Sequence, residues 1–204
     1  MPLQNEYIQP HILDPSLQWF NPPRQYQVDE KALIIKPDAQ TDFWQKTHYG
    51  FTPDNGHFLF AELAGDFVLS TTVIFYPRHQ YDQAGLMIRF SPDCWLKTSV
   101  EYEPDGASKL GAVVTNHGYS DWSTQELLPF RNQISLRIRR ESSDYIVEYL
   151  KEINLWVQLR MAHLFEDDGR QKVKAGIYAC SPINVGYEAQ FTSLQILSGR
   201  ISQA

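Results

Sequence analysis

Trp95, Lys97, Ser99, Glu101 and Glu103 take alternate positions in "CWLKTSVEYE", with Leu96, Thr98, Val100 and Tyr102 between them. On an extended strand one face is then mostly apolar, and the other carries an indole, an ammonium and two carboxylates. Two chemistries use such a set. Glycoside hydrolysis needs two carboxyl groups about 5–5.5 Å or about 6.5–9.5 Å apart. Strand residues two apart place their Cα atoms ~6.6–6.8 Å apart, so Glu101 and Glu103 meet the spacing. Glu103 runs straight into the turn signal Pro104-Asp105-Gly106, which puts it at a wet strand end; if the protein is an enzyme, Glu101 is its acid. Carbohydrate binding needs an aromatic plate and carboxylate, amide and cationic hydrogen-bond partners. Those types recur: Asp42 and Trp44 in "TDFW", Asp82 and Gln83 in "DQAG", the row Trp95, Lys97 and Glu101, and Asp121, Trp122 and Ser123 in "SDWS". His57, which opens the strand after a turn, joins them as a groove residue. The plainer reading makes Trp44 and Trp122 packing residues, and Asp121 with Ser123 a turn.

Other chemistries find little purchase. His48 and His57 flank "PDNG" with Asp54 between them, a spacing that fits no compact metal motif. No G-x-S-x-G elbow is present, Cys94 has no assignable base, and no glycine-rich phosphate loop occurs. No metal and no cofactor is expected. Arg160 in "LWVQLRM" suits a salt bridge better than a bidentate clamp on an anionic ligand.

The elements that must position these residues are strands. "GDFVLSTTVIFYP" is β-branched and aromatic, opened by Gly65 and ended by Pro77; "KALIIKP", "HFLFAEL", "AGLMIRF", "LGAVVTN", "YIVEYL", "KVKAGIYAC" and "EAQFTSLQIL" have similar character. In "QISLRIRR", Ile134, Leu136 and Ile138 alternate with Ser135, Arg137 and Arg139, which predicts an inner and a wet side. "PDNG" reads as a tight turn, because Asn-Gly tolerates positive φ. "STQELLPF" and part of "LWVQLRMAHLF" are the only candidate short helices. Many short strands without alternating helices predict an all-β, two-sheet jelly-roll sandwich. We expect one domain over 1–204, with residues 1–30 an extended lead-in anchored by Trp19 and Phe20.

The 204 residues carry a net charge of −6 with scattered basic side chains, which argues against nucleic-acid binding. No apolar run nears the ~18–20 residues of a membrane span. The two cysteines, Cys94 and Cys180, form no CxxC pair. The N-terminus lacks a signal pattern, so reduced thiols and a cytoplasmic, soluble protein are expected. Partners are then a carbohydrate-type small ligand or a protein, with no nucleic acid and no membrane.

The blocks "TDFWQKTHYGFTPDNGH", "DQAGLMIRF", "CWLKTSVEYE", "VVTNHGYSDWS" and "GIYACSP" resemble, in order, those of a family of unknown function, number 1349, often labelled regulation-of-enolase-like. The resemblance runs from about "WFNPP" to "FTSLQIL". It implies a concanavalin A-like lectin/glucanase jelly roll of two antiparallel sheets. Glucanases of that group carry an acidic strand motif such as Glu-x-Asp-x-x-Glu; here Lys97 and Ser99 stand where carboxylates would be. The expectation is therefore a non-catalytic domain with a polar-aromatic concave groove for a carbohydrate-type ligand. A cytosolic regulator acting through protein contact is the alternative, and a glycoside hydrolase-like enzyme comes third.

Overall fold

A computed structural model describes residues 4–6, 8–9, 12–129 and 131–199. Its strands are β1 (Gln4–Glu6), β2 (Ile8–Gln9), β3 (Ile12–Leu13), β4 (Gln18–Phe20), β5 (Gln25–Val28), β6 (Leu33–Lys36), β7 (His57–Leu63) and β8 (Phe67–Tyr76). They continue as β9 (Gln83–Ser91), β10 (Cys94–Glu101), β11 (Lys109–Asn116), β12 (Tyr119–Glu126) and β13 (Gln133–Glu141). The last four are β14 (Asp144–Glu152), β15 (Leu155–His163), β16 (Val173–Cys180) and β17 (Glu188–Ser198). One sheet runs β15-β14-β13-β8-β17-β6-β5, with β1 also paired to β17; the other runs β12-β11-β10-β9-β16-β7-β4. Every pairing between these strands is antiparallel.

The two sheets pack face to face. Leu86, Ile88, Leu96, Val100, Leu110, Ala112, Ala175 and Ile177 from one meet Leu69, Val73, Leu136, Ile138, Val147, Phe191 and Leu194 from the other in one buried core. The strands form because their apolar side chains recur every second residue, which loads one face of each strand for burial.

The sandwich agrees with the expected fold. Neither candidate helix forms among the described residues: 123–126 completes β12, and 155–163 is β15. Their aromatic and branched residues fit a pleated surface, and each strand lies at a sheet edge where one neighbour suffices. In the N-terminal lead-in, β4 pairs with β7 and β5 with β6 as edge strands. Trp19 packs on the main core and Phe20 on a second aromatic cluster. The side chains of residues 1–12 lie outside the described residues. Among the described residues no helix is long and apolar enough to cross a membrane.

The second cluster lies on the face of the β9–β10–β16 sheet that turns away from the core. There Phe58, Phe60, Met87, Trp95, Val113, Tyr178 and Cys180 meet Phe43 and Trp44. Phe43 and Trp44 come from the segment 37–56, which folds over that face. Thr41 N donates to Ser181 O (3.3 Å), Gln45 N to Ser120 Oγ (2.9 Å) and Ser120 N to Gln45 O (3.0 Å). The positive-φ positions of the segment are Gln40, Lys46, His48 and Gly50, so its tight turn falls at 46–50 and not at "PDNG". Gly56 serves close approach instead: a Cβ there would sit 2.3 Å from the Phe43 ring and 2.5 Å from Cys180 Sγ.

Candidate functional site

Alternation along β10 sends Trp95, Lys97, Ser99 and Glu101 to the outer face, while Leu96 and Val100 enter the core. Register places Gln83 opposite Glu101 and Val113 opposite Lys97, and Val113 in turn faces Trp122. The folded-over segment adds Asp42, Trp44, Tyr49 and Phe51. Together with Tyr81 and Pro182 these side chains enclose a cavity of about 240 Å³.

Its floor is a polar cluster. Lys97 is 3% exposed, and its Nζ donates to Phe43 O (2.7 Å), Gln83 Oε1 (2.9 Å) and Asp42 Oδ1 (3.2 Å). Gln83 Nε2 reaches Tyr81 O (3.2 Å), Glu101 Oε2 (3.3 Å) and Asp42 Oδ1 (3.4 Å), and Tyr178 Oη donates to Gln83 Oε1 (3.1 Å). One amide therefore ties both carboxylates and the ammonium into a single network. Its walls are aromatic: Trp44 meets Tyr49 and Trp122 edge-on at centroid distances of 5.5 Å and 6.5 Å, and Tyr49 stacks on Phe51 at 5.3 Å. Tyr81 stands at the rim with φ 70°, a left-handed conformation costly for a tyrosine, held by a hydrogen bond from its N to Tyr102 O (2.8 Å).

Burial pushes the Glu101 carboxyl up to about 8; Lys97 opposes this, and the charges of Asp42 and Glu103 reinforce it. Folded protein then holds a proton that unfolded protein releases above pH ~4.3. Stability falls as pH rises from there to about 8 and levels off beyond. Glu101→Gln removes this loss. Its thermal midpoint is expected above wild type at pH 9 and level with it at pH 4; a constant gap at both pH values would refute the assignment.

Six expected residues line the cavity: Asp42, Trp44, Gln83, Lys97, Glu101 and Trp122. Five do not. Trp95 shares the face of Lys97 but is fully buried beneath Phe43, so it underlies the floor. His57 is buried, its Nε2 accepting from Asp38 N (3.0 Å) and its Nδ1 lying 2.7 Å from Asn21 O, so it clamps the N-terminal segment. Asp82 is buried and accepts from Arg78 N and His79 N, both at 2.8 Å, and from Ser181 Oγ. Asp121 and Ser123 pair with Val114 and Ala112 of the core-facing side, opposite to Trp122. Asp121 instead meets Arg160 of the other sheet at 3.2 Å, the salt bridge expected for that arginine. Glu103 accepts from Gln80 Nε2 (2.8 Å) and is no part of the cavity lining.

Tyr49, Phe51, Tyr81, Val113 and Pro182 were not foreseen. Tyr49 and Phe51 straddle Gly50 in "HYGF", the one local sign that two aromatics would be presented together by a turn. Among the described residues no three His, Cys, Asp or Glu side chains are grouped to hold a metal ion.

Known proteins resemble the chain in both sequence and shape. The Saccharomyces cerevisiae protein named Regulation of enolase protein 1 is 33% identical over 174 residues, 85% of each chain. A crystal structure titled as a functionally unknown protein from Saccharomyces cerevisiae superposes with a TM-score of 0.83 at 30% identity, covering 92% of this chain and 98% of that one. The Bacteroides ovatus xyloglucan-locus protein GH43B matches with a TM-score of 0.75 at 20% identity, over 96% of this chain but 39% of that longer one, a likeness of fold. The family model described as protein of unknown function (DUF1349) matches residues 19–198, and the chain belongs to that family.

Proposed function

We propose that the cavity binds a ring-sized, carbohydrate-type ligand and holds it without cutting it. The observation that carries this reading is a hydrogen-bonding floor of Asp42, Gln83, Lys97 and Glu101 enclosed by Trp44, Tyr81 and Trp122. Aromatic faces suit the apolar face of a sugar ring, and carboxylates accept from its hydroxyls. The volume, about 240 Å³, lies below the ~300–1,000 Å³ of drug-sized sites and favours a single ring. A similar sandwich occurs within a protein titled as a GH43 from a xyloglucan locus. Hydrolysis is disfavoured because Glu103, the carboxyl expected beside Glu101, is bonded to Gln80 and lies outside the cavity lining.

A regulatory contact with a protein partner is the second reading. It is favoured by the exposed Tyr49, Phe51, Tyr81 and Tyr119, and by the name of the yeast relative. A cytoplasmic setting fits two buried, unpaired cysteines, with burial pushing the Cys94 thiol up to about 11.

Monosaccharides screened by thermal shift test the first reading. A ligand at 100 times its Kd should stabilise the fold by about 2.7 kcal/mol. Trp122→Ala is expected to weaken the hit about tenfold, the upper end for one aromatic contact. A broad panel without a hit turns the assignment toward a protein partner.

A further inference from the structure

The hydrogen-bond inventory of the floor is lopsided, and this narrows the ligand. The three protons of Lys97 Nζ are spent on Asp42, Phe43 O and Gln83. The Gln83 amide protons are directed at Asp42, Glu101 and Tyr81 O, and the Tyr178 hydroxyl at Gln83. Acceptors remain. Asp42 Oδ1 takes the Phe43 N–H, Lys97 and Gln83, and Glu101 Oε2 takes Gln83, but no donor among the described residues meets Asp42 Oδ2 or Glu101 Oε1. Neither oxygen is sealed from solvent, since among the described residues the sealed, partnerless side-chain oxygen is Asp54 Oδ1. With both carboxylates ionised, two negative charges face the single positive charge of Lys97. The surrounding walls are the aromatic side chains of Trp44, Tyr49, Phe51, Tyr81 and Trp122.

Acceptor oxygens, a negative balance once Glu101 is ionised and a ring of aromatic side chains together form a receptor for an organic cation. An anionic ligand would find no free proton on Lys97 and the Asp42 carboxylate beside it. Resting on the carbohydrate reading, we propose that the ligand carries an ammonium group, as an amino sugar does, and that the group is seated between Asp42 and Glu101 with the ring against the aromatic walls. The bound ammonium supplies the countercharge that Glu101 lacks in the empty cavity. The ionisable groups around Glu101 are Lys97 on its own strand, Asp42 of the folded-over segment, Glu103, and the Tyr81 and Tyr178 phenols. Burial raises Glu101 itself to about 8. Cation binding below that pH therefore expels its proton.

Isothermal titration at pH 7 with glucosamine, glucose and choline separates this proposal from the reading beneath it. Glucosamine is expected to bind at least tenfold more tightly than glucose, with proton release seen as a dependence of the heat on buffer. Glu101→Gln should erase the preference while leaving the fold intact. Choline, whose charge is fixed, should gain affinity from pH 6 to pH 8 by up to tenfold per unit; this arm uses wild-type protein and does not depend on how a variant folds. Equal binding of glucose and glucosamine would overturn the ammonium assignment and leave the carbohydrate reading standing. Choline binding without either sugar would support the cation site and overturn the carbohydrate reading. Failure of all three at millimolar concentration would overturn the cation site.

Discussion

Lys97→Met unfolds at a markedly lower denaturant concentration than wild type. Methionine keeps most of the aliphatic stem but removes the ammonium that holds Asp42 Oδ1, Phe43 O and Gln83 Oε1. Removing one partner of a buried pair costs about 3–5 kcal/mol, because the other charge stays behind without compensation. The Phe43 carbonyl loses its donor too, at a further cost that overlaps the first, since all three acceptors belong to one network. Asp42 is 19% exposed at its side chain, so water recovers part of the loss and the lower half of the range applies. A loss of about 3 kcal/mol corresponds to roughly 6–12 °C in a chain of this size. Lys97→Met/Asp42→Asn should lose less than Lys97→Met alone, because the stranded carboxylate is gone. An unchanged midpoint in Lys97→Met would refute the role of Lys97 as the pillar under the folded-over segment. Loss of stability without any coupling to Asp42 would place the effect in packing against Trp95 and Tyr178, whose rings lie 5.8 Å and 5.6 Å from Nζ.

The site was legible to the depth that strand alternation reaches. Lys97, Glu101 and Gln83 face the cavity because a period of two, applied to "CWLKTSVEYE" and "DQAGLMIRF", puts them on the outer face. Trp95 obeys the same rule yet contributes nothing to the lining, because Phe43 covers it, and no local pattern tells which part of a face a distant segment will cover. Asp121 and Ser123 were grouped with Trp122 by sequence proximity, although alternation already sent them to the opposite side. Tyr49 and Phe51 lie in a turn built on positive φ at Lys46, His48 and Gly50, where neither helical nor strand periodicity applies. The core was more readable, since each inner strand face is apolar over several alternate positions and a one-residue slip would expose all of them. There the reading stopped one step early. Ile134, Leu136 and Ile138 are inward, and the next inward position is Arg140, to which the alternation was not extended.

Arg140→Met carries the largest expected loss of stability. Arg140 and Asp167 are both 0% exposed at their side chains, a stricter burial than at Lys97. The guanidinium spans two loops: Nε and Nη2 bind the Asp167 carboxylate, Nη1 donates to Gly65 O (3.0 Å), and Nη2 also reaches Gln171 O (3.3 Å). Arg140 therefore ties the end of β13 to the β7–β8 turn and to the β15–β16 connection, which carries the chain from one sheet to the other. The Tyr145 hydroxyl also donates to Asp167. The variant leaves Asp167 with Tyr145 and the Gly169 N–H but no countercharge, at a cost of about 3–5 kcal/mol, here at the upper end. Sealed in without a cation, the Asp167 carboxylate of the variant has lost the charge that offset its burial. Arg140→Met/Asp167→Leu should recover part of the loss, since a buried pair replaced by apolar groups is often neutral or better. Hydrogen exchange should locate the damage first in 164–172, whose amides lose their anchor to β13. A double variant no more stable than Arg140→Met would mean that packing volume, and not the stranded carboxylate, sets the cost.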